Sequence, residues 1–406
     1  MAERPEAIVL GAGVVGMATA YALARRGVGV LILDRSVEPG RGTSFANGAQ
    51  LSYAYTDALG TPALLRKLPM LALGADPAFR LRPSMDPGFI RWGLSFLRNS
   101  TAARSLGNTL EGLRLGLESR AAMHALLERH PLDFLHSMPG KLHLYEDSES
   151  LAAASAMVER KRREGAVQEV LSPAQAVALE PALASAETRL SGAVYSPEEE
   201  VGDPYLFCRK LLETLKSDYR VQARFGVNAR LEIRDGRPDV VLADGERIEA
   251  ERIAVCTGVD TPKLLKGTGI RVPIWPMRGY SITAPPGPDA PRISITDARR
   301  KVVFCRLGER MRIAGLADLG SRSTDIDAVR LKSLIDSARA SLPGAVEFDR
   351  VESSWAGLRP MTPSSLPVIR KEGAGLVLNV GHGGLGWTFA MGSGERAAAL
   401  MLEKLD

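Results

Sequence analysis

The period of the hydrophobic pattern changes along this chain, and the first 35 residues show the change most clearly. Ala7–Leu10 is a short apolar run, and a stretch of small residues with helical character extends from there to Arg26. Val28–Leu33 is a second apolar run that ends at Asp34. Short apolar runs bounded by glycine are typical of buried parallel strands, so this region predicts a strand, a helix and a second strand.

Beyond this unit the pattern predicts a mostly helical region over residues 59–135 and a strand-rich region after residue 220. In chain order, the other predicted elements are a strand over Lys141–Tyr145, helices over Leu151–Arg163, from Ser172-Pro173 and from Asp203-Pro204 to Lys216, strands over Arg220–Phe225, Ala229–Ile233, Pro238–Leu242 and Arg247–Val255 with a turn at Asp244-Gly245, strands over Ile274–Thr283 and Val302–Ile313 with a hairpin around Gly308, a helix over Ala328–Leu342, a buried strand over Leu376–Val380 and a closing helix over Thr388–Leu405.

The turn between the two N-terminal apolar runs matches the dinucleotide-binding fingerprint, with the sequence Gly11-Ala12-Gly13-Val14-Val15-Gly16. Gly11 permits a tight turn, Gly13 lets the backbone approach a pyrophosphate, and Gly16 lets the helix pack closely on the strand. The pyrophosphate would lie at the helix N-terminus, where free N–H groups favour an anion. Asp34 can accept hydrogen bonds from ribose hydroxyls and would repel a 2′-phosphate. The fingerprint therefore predicts FAD or NAD rather than NADP.

Two further glycine-containing turns favour FAD. A β-branched run ends in Cys256-Thr257-Gly258 after a predicted layer of antiparallel strands, which simple nicotinamide dehydrogenases lack. The last buried strand leads into the turn Gly381-His382-Gly383-Gly384-Leu385-Gly386, whose four glycines indicate backbone that passes close to a bulky ligand. The helix that follows would direct its N-terminus at the flavin and stabilise negative charge on the reduced form. An ordinary strand end and a flexible turn are the alternative interpretations.

Five motifs occur in one order between about residue 5 and about residue 402. They are Asp34-Arg35, Thr43-Ser44-Phe45-Ala46-Asn47-Gly48-Ala49-Gln50-Leu51-Ser52, Arg278-Gly279-Tyr280-Ser281-Ile282-Thr283, Trp355-Ala356-Gly357-Leu358-Arg359-Pro360-Met361-Thr362-Pro363 and Gly381-His382-Gly383-Gly384-Leu385-Gly386-Trp387. Together they resemble the D-amino-acid oxidase superfamily of FAD-dependent oxidoreductases, and most closely its bacterial D-amino-acid dehydrogenase small-subunit group.

The resemblance implies an α/β fold, in which an FAD-binding Rossmann-like domain of the glutathione-reductase type carries an inserted α+β substrate-binding domain. The predicted boundaries place residues 1–58, 197–265 and 346–406 in the FAD-binding domain, and residues 59–196 and 266–345 in the substrate-binding domain. We expect the site in the cleft between them, where small molecules commonly bind.

The resemblance also implies oxidation of an amine carried on a carboxylate. The Cα–H of a D-amino acid would pass as hydride to flavin N5, water would hydrolyse the imino acid, and the electrons would go to a quinone or another acceptor. A cyclic imino acid such as D-proline or D-hydroxyproline would instead give a stable cyclic imine. Two alternatives stay open: an amino-acid oxidase of the glycine or sarcosine type that makes hydrogen peroxide, and a flavin-bearing electron-relay subunit of a larger complex.

Five residues are assigned to substrate binding and catalysis. Arg359 would hold the substrate carboxylate through its two-donor fork, and Tyr280 would add a second hydrogen bond. Tyr53 and Tyr55 would line the pocket, although Tyr53 replaces a proline of the family. His382 is either a catalytic flavin contact or a turn residue, since hydride transfer depends on positioning more than on a base. A structural salt bridge for Arg359 and a packed sheet tyrosine at position 280 are the alternatives.

The expected contacts to a non-covalent FAD come from the fingerprint, the loop after Asp34, a backbone contact to adenine and the two glycine turns. They are Gly11, Gly13, Val14, Val15, Gly16, Asp34, Arg35, Thr43, Ser44, Asn47, Gly48, Gln50, Leu51, Val227, Cys256, Thr257, Gly258, Gly383, Gly384, Leu385, Gly386, Trp387 and Thr388.

The charge balance, the cysteines and the lengths of the apolar stretches argue against several classes of protein. The 52 basic and 47 acidic residues give a net charge of only +5, which argues against nucleic-acid binding. Cys208, Cys256 and Cys305 lie far apart, so the sequence predicts no disulfide framework or metal site and fits a reducing compartment. The sequence contains no uninterrupted apolar stretch of about 18 residues and no signal-peptide pattern, so we expect a cytoplasmic protein.

One apolar stretch, Leu64–Leu73, has two central cations and two interpretations. The favoured interpretation is a core helix broken at Pro69. The other is a surface element that meets a quinone or the inner face of the membrane, with Arg66 and Lys67 near lipid phosphates.

Overall fold

The structure, a computed structural model, describes residues 5–72, 74 and 76–403. Its strands are β1 (Ala7–Leu10), β2 (Val30–Leu33), β3 (Gln50–Leu51), β4 (Phe79–Leu81), β5 (Lys141–Tyr145), β6 (Glu169–Leu171), β7 (Gly192–Ser196), β8 (Glu200–Val201), β9 (Gln222–Arg224), β10 (Ala229–Arg234), β11 (Arg237–Leu242), β12 (Arg247–Ile248), β13 (Arg252–Val255), β14 (Trp275–Ala284), β15 (Ser294–Asp297), β16 (Val302–Leu307), β17 (Arg310–Leu319), β18 (Ser353–Met361), β19 (Val368–Lys371) and β20 (Leu376–Val380). Its α-helices are α1 (Val14–Ala24), α2 (Pro62–Ala72), α3 (Pro87–Asn99), α4 (Ala102–Arg129), α5 (Ser148–Arg163), α6 (Pro173–Leu179), α7 (Pro204–Asp218), α8 (Thr261–Leu264), α9 (Ala328–Ser341) and α10 (Gly386–Leu402), and 3₁₀ turns occur at Pro181–Arg189, Gly258–Asp260 and Gly383–Leu385.

The first sheet forms around the fingerprint, in the order β19-β20-β13-β1-β2-β9. All its pairs are parallel except β19–β20. Strands β1, β2 and β20 are buried throughout, as continuous apolar runs covered on both faces should be. Apolar residues of α1, α7 and α10 form the core on one face, and the small sheet β10-β11-β12 packs on the other. The predicted strand–helix–strand unit is therefore confirmed.

The predicted strand Arg247–Val255 is wrong as one element. Its first part, β12, pairs with β11 in the small antiparallel sheet, whereas β13 pairs with β1 in the first sheet. The chain must turn between the two layers, so the extended pattern cannot continue. The small sheet also contains a two-residue hairpin turn at Asp235-Gly236. Both residues have positive φ (49° and 74°), as a type I′ turn requires.

The second sheet has the order β18-β14-β17-β16-β15-β5-β7-β6, with β4 paired to β17. The hairpin predicted around Gly308 is present as β16 and β17, although β17 continues to Leu319. Helix α9 and the turn Pro181–Arg189 contribute to the core under this sheet. A two-stranded pair, β3–β8, lies apart from both large sheets.

The division into two domains stays a prediction, but one of its boundaries disagrees with the strand pairing. Strand β18 lies in the second sheet, where it pairs with β14 from Trp275↔Met361 to Thr283↔Ser353. The predicted segment 346–406 would assign β18 to the FAD-binding domain. Because this continuous ladder joins β18 to β14, we propose that the boundary lies after Met361.

The region over residues 59–135, which the sequence predicts to be mostly helical, contains α2, α3 and α4. Helix α2 continues past Pro69, so the predicted break at that proline is wrong. Asp86 caps α3 by accepting the Gly88 N–H, and a proline occupies the first helical position. Within the described residues, none of the helices has the length and apolar character needed to cross a bilayer.

Candidate active site

A cavity of about 1000 Å³ is lined by residues of both large sheets. It brings together every predicted site residue except Gly16, Leu51 and Tyr53. Gly16 has the packing role expected for it, since a Cβ there would overlap the Gly11 carbonyl. The Leu51 side chain lies in the core of the first sheet, so its predicted cofactor contact is wrong for the side chain.

The prediction for Tyr53 is also wrong. This residue is 2% exposed, and its hydroxyl donates to Glu200 Oε2 at 3.2 Å in the core instead of facing the cavity. The same carboxylate also bonds His124 and His136. Glu200 is distant in sequence, so no local pattern near Tyr53 could indicate this partner.

The fingerprint turn has the geometry that a phosphate-binding loop requires. Gly11 has φ +103°, and a Cβ on it would lie 2.6 Å from the Cys256 carbonyl oxygen. Gly13 caps α1 without a side chain, and Ser44 Oγ accepts the Val14 N–H at 3.1 Å. Val15 also lines the cavity, so the first turn of α1 faces it. The N-terminus of α1 and the Ser44 hydroxyl together form a site suited to an anion.

Asp34, the predicted ribose-binding residue, lines the cavity, and two backbone N–H groups fix its carboxylate. Its carboxylate accepts the Ala12 N–H at 2.6 Å and the Ser36 N–H at 2.7 Å. The Val227 N–H donates to the Asp34 carbonyl at 3.1 Å, which brings the predicted adenine contact beside the ribose site. Arg35 forms an ion pair with Asp260 at 2.7 Å on the cavity wall.

The loop that contains Thr43 to Ser52 is attached to the second sheet by side-chain hydrogen bonds. Thr43 Oγ1 donates to the Leu358 carbonyl at 2.7 Å, and Gln50 Nε2 donates to Ser294 Oγ at 2.6 Å. Asn47 Oδ1 accepts the Ala49 N–H at 2.8 Å, where the chain adopts a positive φ of 61°. A Cβ on Gly48 would approach Val303 to 3.2 Å. The loop is therefore fixed along the cavity.

The two glycine turns also lie where the sequence predicts. Cys256, Thr257 and Gly258 follow β13 and line the cavity, and burial raises the pKa of the Cys256 thiol to about 12. The turn at Gly381 leads through Gly383, Gly384 and Leu385 into α10, which has no side-chain cap at Leu385. Gly386, Trp387 and Thr388 in the first turn of α10 line the cavity, so this uncapped N-terminus borders it. Trp387 and Thr388 use their polar atoms elsewhere, with the Trp387 indole donating to Gly202 and Thr388 Oγ1 accepting the Ser52 N–H.

His382 is a buried neutral ring. Its Nε2 lies 3.0 Å from Ser393 Oγ, and desolvation lowers the pKa of the imidazole to about 3. Asn379, which is among the residues that line the cavity, extends this polar cluster by donating to Thr19 and Ser393. Its buried Oδ1 has no hydrogen-bond partner among the described residues. An imidazole with so low a pKa is a very weak base, and its Nε2 is bonded to Ser393, so the geometry favours a hydrogen-bonding role for His382 over general-base chemistry.

Arg359 and Tyr280 stand on the paired strands β18 and β14. Arg359 Nη1 donates to the Leu316 carbonyl at 2.9 Å, and its guanidinium lies over Gly279, where a Cβ would come within 2.6 Å of Cζ. No salt bridge joins Arg359 to a carboxylate in the described part of the chain. Burial lowers the pKa of Arg359 and Asp318 opposes that shift, but an arginine stays protonated. A cation thus faces the cavity without a charged partner.

Tyr280 is held by an acid that sequence reasoning missed. Its hydroxyl donates to Asp318 Oδ2 at 3.3 Å, and Asp318 is paired with Arg278 at 3.3 Å and Arg330 at 2.6 Å. Burial and then the charge of Asp318 raise the pKa of Tyr280 to about 12.

Although Tyr280 is among the residues that border the cavity, its side chain is 1% exposed and packs in the core under the second sheet. Arg359 pairs with Met277, three positions from Tyr280, so the two side chains lie on opposite faces of the sheet. The predicted second hydrogen bond from Tyr280 to a substrate carboxylate therefore has no support in this geometry.

A buried polar cluster around Tyr55 was also missed. The Tyr55 ring lies 3.7 Å from the His143 ring, 4.6 Å from Lys141 Nζ and 5.7 Å from Lys161 Nζ, and burial raises the pKa of its hydroxyl. Glu199 lies behind this cluster, with a pKa raised by burial to about 7. The signal was present in β5, whose alternate positions 141, 143 and 145 are all polar. The described residues contain no His, Cys, Asp or Glu group that could hold a metal ion.

Comparison with known proteins agrees with these features. A protein-family profile described as DAO, FAD dependent oxidoreductase, matches residues 6–400. The chain is 40% identical over 408 residues to D-amino acid dehydrogenase 2 of Ralstonia nicotianae, an alignment that covers 98% of this chain and 96% of that protein. It is 38% identical to the D-amino acid dehydrogenase of Paramagnetospirillum magneticum, covering 97% and 94% of the two chains.

Solved structures share the fold at lower sequence identity. Glycine oxidase from Geobacillus kaustophilus superposes with a TM-score of 0.76 at 20% identity, covering 98% of this chain and 94% of that one. L-proline dehydrogenase from P. horikoshii gives a TM-score of 0.77 at 17% identity, with coverage of 99% and 94%. At these identities the likeness shows the fold alone.

Proposed function

Since this chain belongs to the DAO family of FAD-dependent oxidoreductases, we propose that it oxidises D-amino acids as a dehydrogenase. The observation that carries the proposal is Arg359, a cation with no carboxylate partner among the described residues, facing the cavity over Gly279. The planar guanidinium fork matches a carboxylate in two parallel hydrogen bonds. The relatives at 38–40% identity are named D-amino acid dehydrogenases, which supports this substrate class.

The residues present fit FAD. Gly11 admits no side chain, Ser44 and the first turn of α1 form a cradle for the pyrophosphate, and Asp34 stands beside it for a ribose. The uncapped N-terminus of α10 and the unpartnered Asn379 Oδ1 offer polar groups at the other turn. When bound, FAD supplies the two-electron acceptor for the Cα–H of the substrate.

The residues of the chain itself orient the amino acid. Arg359 would hold the α-carboxylate, while Tyr280, bonded to Asp318 in the core, would support the strand that pairs with β18. Because burial lowers the pKa of His382 to about 3, this imidazole is too weak a base to serve as the acceptor of the amine proton. Loss of hydride from Cα and of a proton from nitrogen gives the imino acid, which water hydrolyses to a keto acid and ammonia. A cyclic imino acid would leave as a stable imine.

Anaerobic bleaching of the flavin tests the proposal. The purified holoenzyme is mixed with a panel of D-, L- and N-methyl amino acids, and the visible absorbance of the flavin is followed. We expect D-amino acids to bleach it and their L-enantiomers to leave it oxidised. Bleaching by glycine or sarcosine alone would favour the oxidase-type alternative, and a flavin that none of the panel reduces would favour an electron-relay subunit.

We also propose that the electrons pass to a quinone or a similar acceptor rather than to oxygen. The dehydrogenase names of the relatives support this choice. Stopped-flow mixing of the substrate-reduced enzyme with air-saturated buffer, and separately with a soluble quinone, tests it. Reoxidation by oxygen at the rate of turnover, with stoichiometric peroxide, would make the protein an oxidase.

A quinone acceptor would lie in a membrane, and two helices could provide the contact of the protein with its surface. The exposure of apolar side chains supports α3 more than α2. In α2, Leu64, Leu68 and Leu71 pack into a core, which favours the core interpretation of Leu64–Leu73, although Leu73 lies outside the described residues. In α3, Ile90, Leu94 and Leu97 are 45%, 52% and 44% exposed and recur at helical spacing. Exposed Arg91 and Arg98 flank this stripe. An apolar stripe beside cations is suited to an anionic lipid surface, so we propose α3 as the peripheral contact.

A further inference from the structure

Lys141 is a buried cation that the proposed reaction does not use. It opens β5, is 2% exposed, and lines the same cavity as Arg359. Four strands, β14, β17, β16 and β15, separate β5 from β18 in the second sheet. The two cations therefore approach the cavity from distant parts of the sheet, and one carboxylate cannot serve both.

The protein compensates this charge only partly. Lys141 Nζ donates to Ser52 Oγ at 2.7 Å and lies 4.6 Å from the centre of the Tyr55 ring. No carboxylate lies within 4.0 Å of it in the part of the chain that the structure describes. An ammonium has three donors, and a buried charge without a partner is costly. Burial accordingly lowers the pKa of Lys141 to about 8, with Glu199 and Asp57 opposing the shift and Lys161 adding to it.

Lys161 is a second buried lysine near the same tyrosine, and its hydrogen-bond partners provide a comparison for Lys141. It is also 2% exposed and lies 5.7 Å from the same tyrosine ring. Its ammonium, however, is paired with Asp57 at 2.6 Å and with the Ala54 carbonyl at 2.9 Å, and it does not line the cavity. The two lysines differ in that Lys141 lines the cavity and has no carboxylate within 4.0 Å among the described residues, whereas Lys161 has both opposite features.

We infer that Lys141 is a second anion-binding group of the cavity, and that the substrate is a D-amino acid with an anionic group at the end of its side chain. The α-carboxylate would pair with Arg359 and the distal carboxylate with Lys141 and Ser52. This inference rests on the proposed function and specifies its substrate class. Because the two cations stand on separated strands, an extended side chain fits better than a short one.

Matched substrates and variants test the inference. D-glutamate and D-glutamine have the same length and differ in the distal charge, D-aspartate and D-2-aminoadipate vary the length, and D-norvaline is a neutral reference. For the native holoenzyme, we expect kcat/KM for D-glutamate or D-2-aminoadipate to exceed that for D-glutamine by about tenfold or more, the range of a hydrogen bond to a charged group. Lys141→Met should abolish this preference, because it should lower kcat/KM for the anionic substrates by about tenfold more than kcat/KM for D-norvaline.

Two controls separate ligand binding from folding. Lys141→Gln keeps a donor for Ser52 without the charge and should lose the same preference. Lys161→Met removes the neighbouring buried lysine and should keep the preference, provided that it retains FAD. Replacing an unpaired buried cation by an apolar side chain of similar length should also raise the melting temperature of the substrate-free Lys141→Met holoenzyme.

These experiments distinguish a failure of the inference about Lys141 from a failure of the proposed function. If no D-amino acid reduces the flavin, the proposed function itself fails. If D-norvaline is oxidised but the native enzyme does not prefer the anionic substrates, or if Lys141→Met keeps that preference, the inference about Lys141 is wrong. Loss of bound FAD from Lys141→Met and Lys141→Gln, with the substrate preference of any reloaded enzyme unchanged, would assign the lysine to the cofactor and overturn it as well.

Discussion

At the scale of single residues, the cavity is defined by charged and aromatic groups whose partners lie far away in sequence. Arg359 is fixed by the Leu316 carbonyl, Tyr280 by Asp318, and Lys141 by Ser52. Each of these contacts holds a side chain in one orientation before a ligand arrives. Binding then costs little side-chain ordering, which is how a fixed site gains affinity and alignment.

Arg359→Ala is expected to remove most turnover and leave the cofactor in place. A desolvated charge-assisted fork is worth on the order of 3 kcal/mol, so kcat/KM for the best amino acid should fall by roughly a hundredfold. Arg359→Lys should restore little, because a point charge cannot reproduce two parallel hydrogen bonds. Steady-state kinetics and the visible flavin spectrum measure both effects. Arg396→Ala, which breaks only ion pairs with Glu111 and Glu118, serves as the control.

Gly279→Ala should displace the Arg359 guanidinium and leave the arginine itself in the protein. The new Cβ would lie within 2.6 Å of Arg359 Cζ, so the side chain must move out of its present place. We expect KM for the amino acid to rise by about tenfold, with the flavin spectrum unchanged. Gly107→Ala has no neighbouring atom within 4 Å and should leave KM as it is. Equal effects of the two substitutions would contradict this account.

The lowered pKa of Lys141 predicts a pH dependence of stability. Its pKa falls from 10.5 to about 8 on folding, so below pH 8 both states hold the proton. Between about pH 8 and about pH 10.5 the unfolded chain binds more protons than the folded one, and the free energy of unfolding rises with pH. Lys141→Met should lack this rise. Melting temperatures of both proteins at about pH 7 and about pH 9.5 measure the difference, which includes the effect that loss of the Lys141 charge has on the pKa of its neighbour Glu199.

At the scale of elements, the N-terminal unit could be predicted because its signals are local. Glycine spacing, apolar runs and one acid within 35 residues specify two strands, a helix and a turn. The second sheet could not be predicted in the same way, because β18 pairs with β14 about 80 residues earlier in the chain and β5 lies beside β15. Tyr53 and Lys141 show the consequence for the site: which way a side chain faces depended on partners that only the tertiary fold supplies.

Helix α3 provides the element-scale prediction. Replacing Ile90, Leu94 and Leu97 together by Gln removes the exposed apolar stripe and keeps Trp92 and Phe96, which face the core. We expect the native protein to sediment with vesicles containing anionic lipid, to bind neutral vesicles more weakly, and to lose binding in the triple variant. Turnover with a soluble dye should not change. Equal binding of both proteins to anionic vesicles would assign the contact to another surface.

At the scale of the whole molecule, the cavity connects the two large sheets. Its lining includes the fingerprint of the first sheet, strands β14 to β18 of the second, and the loop from Thr43 to Ser52 that passes between them. A ligand that contacts all three adds further contacts between these parts of the chain, beyond the hydrogen bonds that already attach the loop to the second sheet. Occupancy of this space should therefore affect the stability of the entire fold, beyond that of a single loop.

We predict one tightly held, non-covalent FAD whose removal lowers the melting temperature. A ligand that binds only the folded state stabilises it by RT ln(1 + [L]/Kd), about 4 kcal/mol at a thousandfold excess over Kd. The purified protein should be yellow, acid precipitation should release FAD into the supernatant, and the apoprotein should regain its melting temperature when FAD is added. NAD should have no such effect, because the chain belongs to a family of FAD-dependent oxidoreductases. A colourless protein that only NAD stabilises would contradict the prediction.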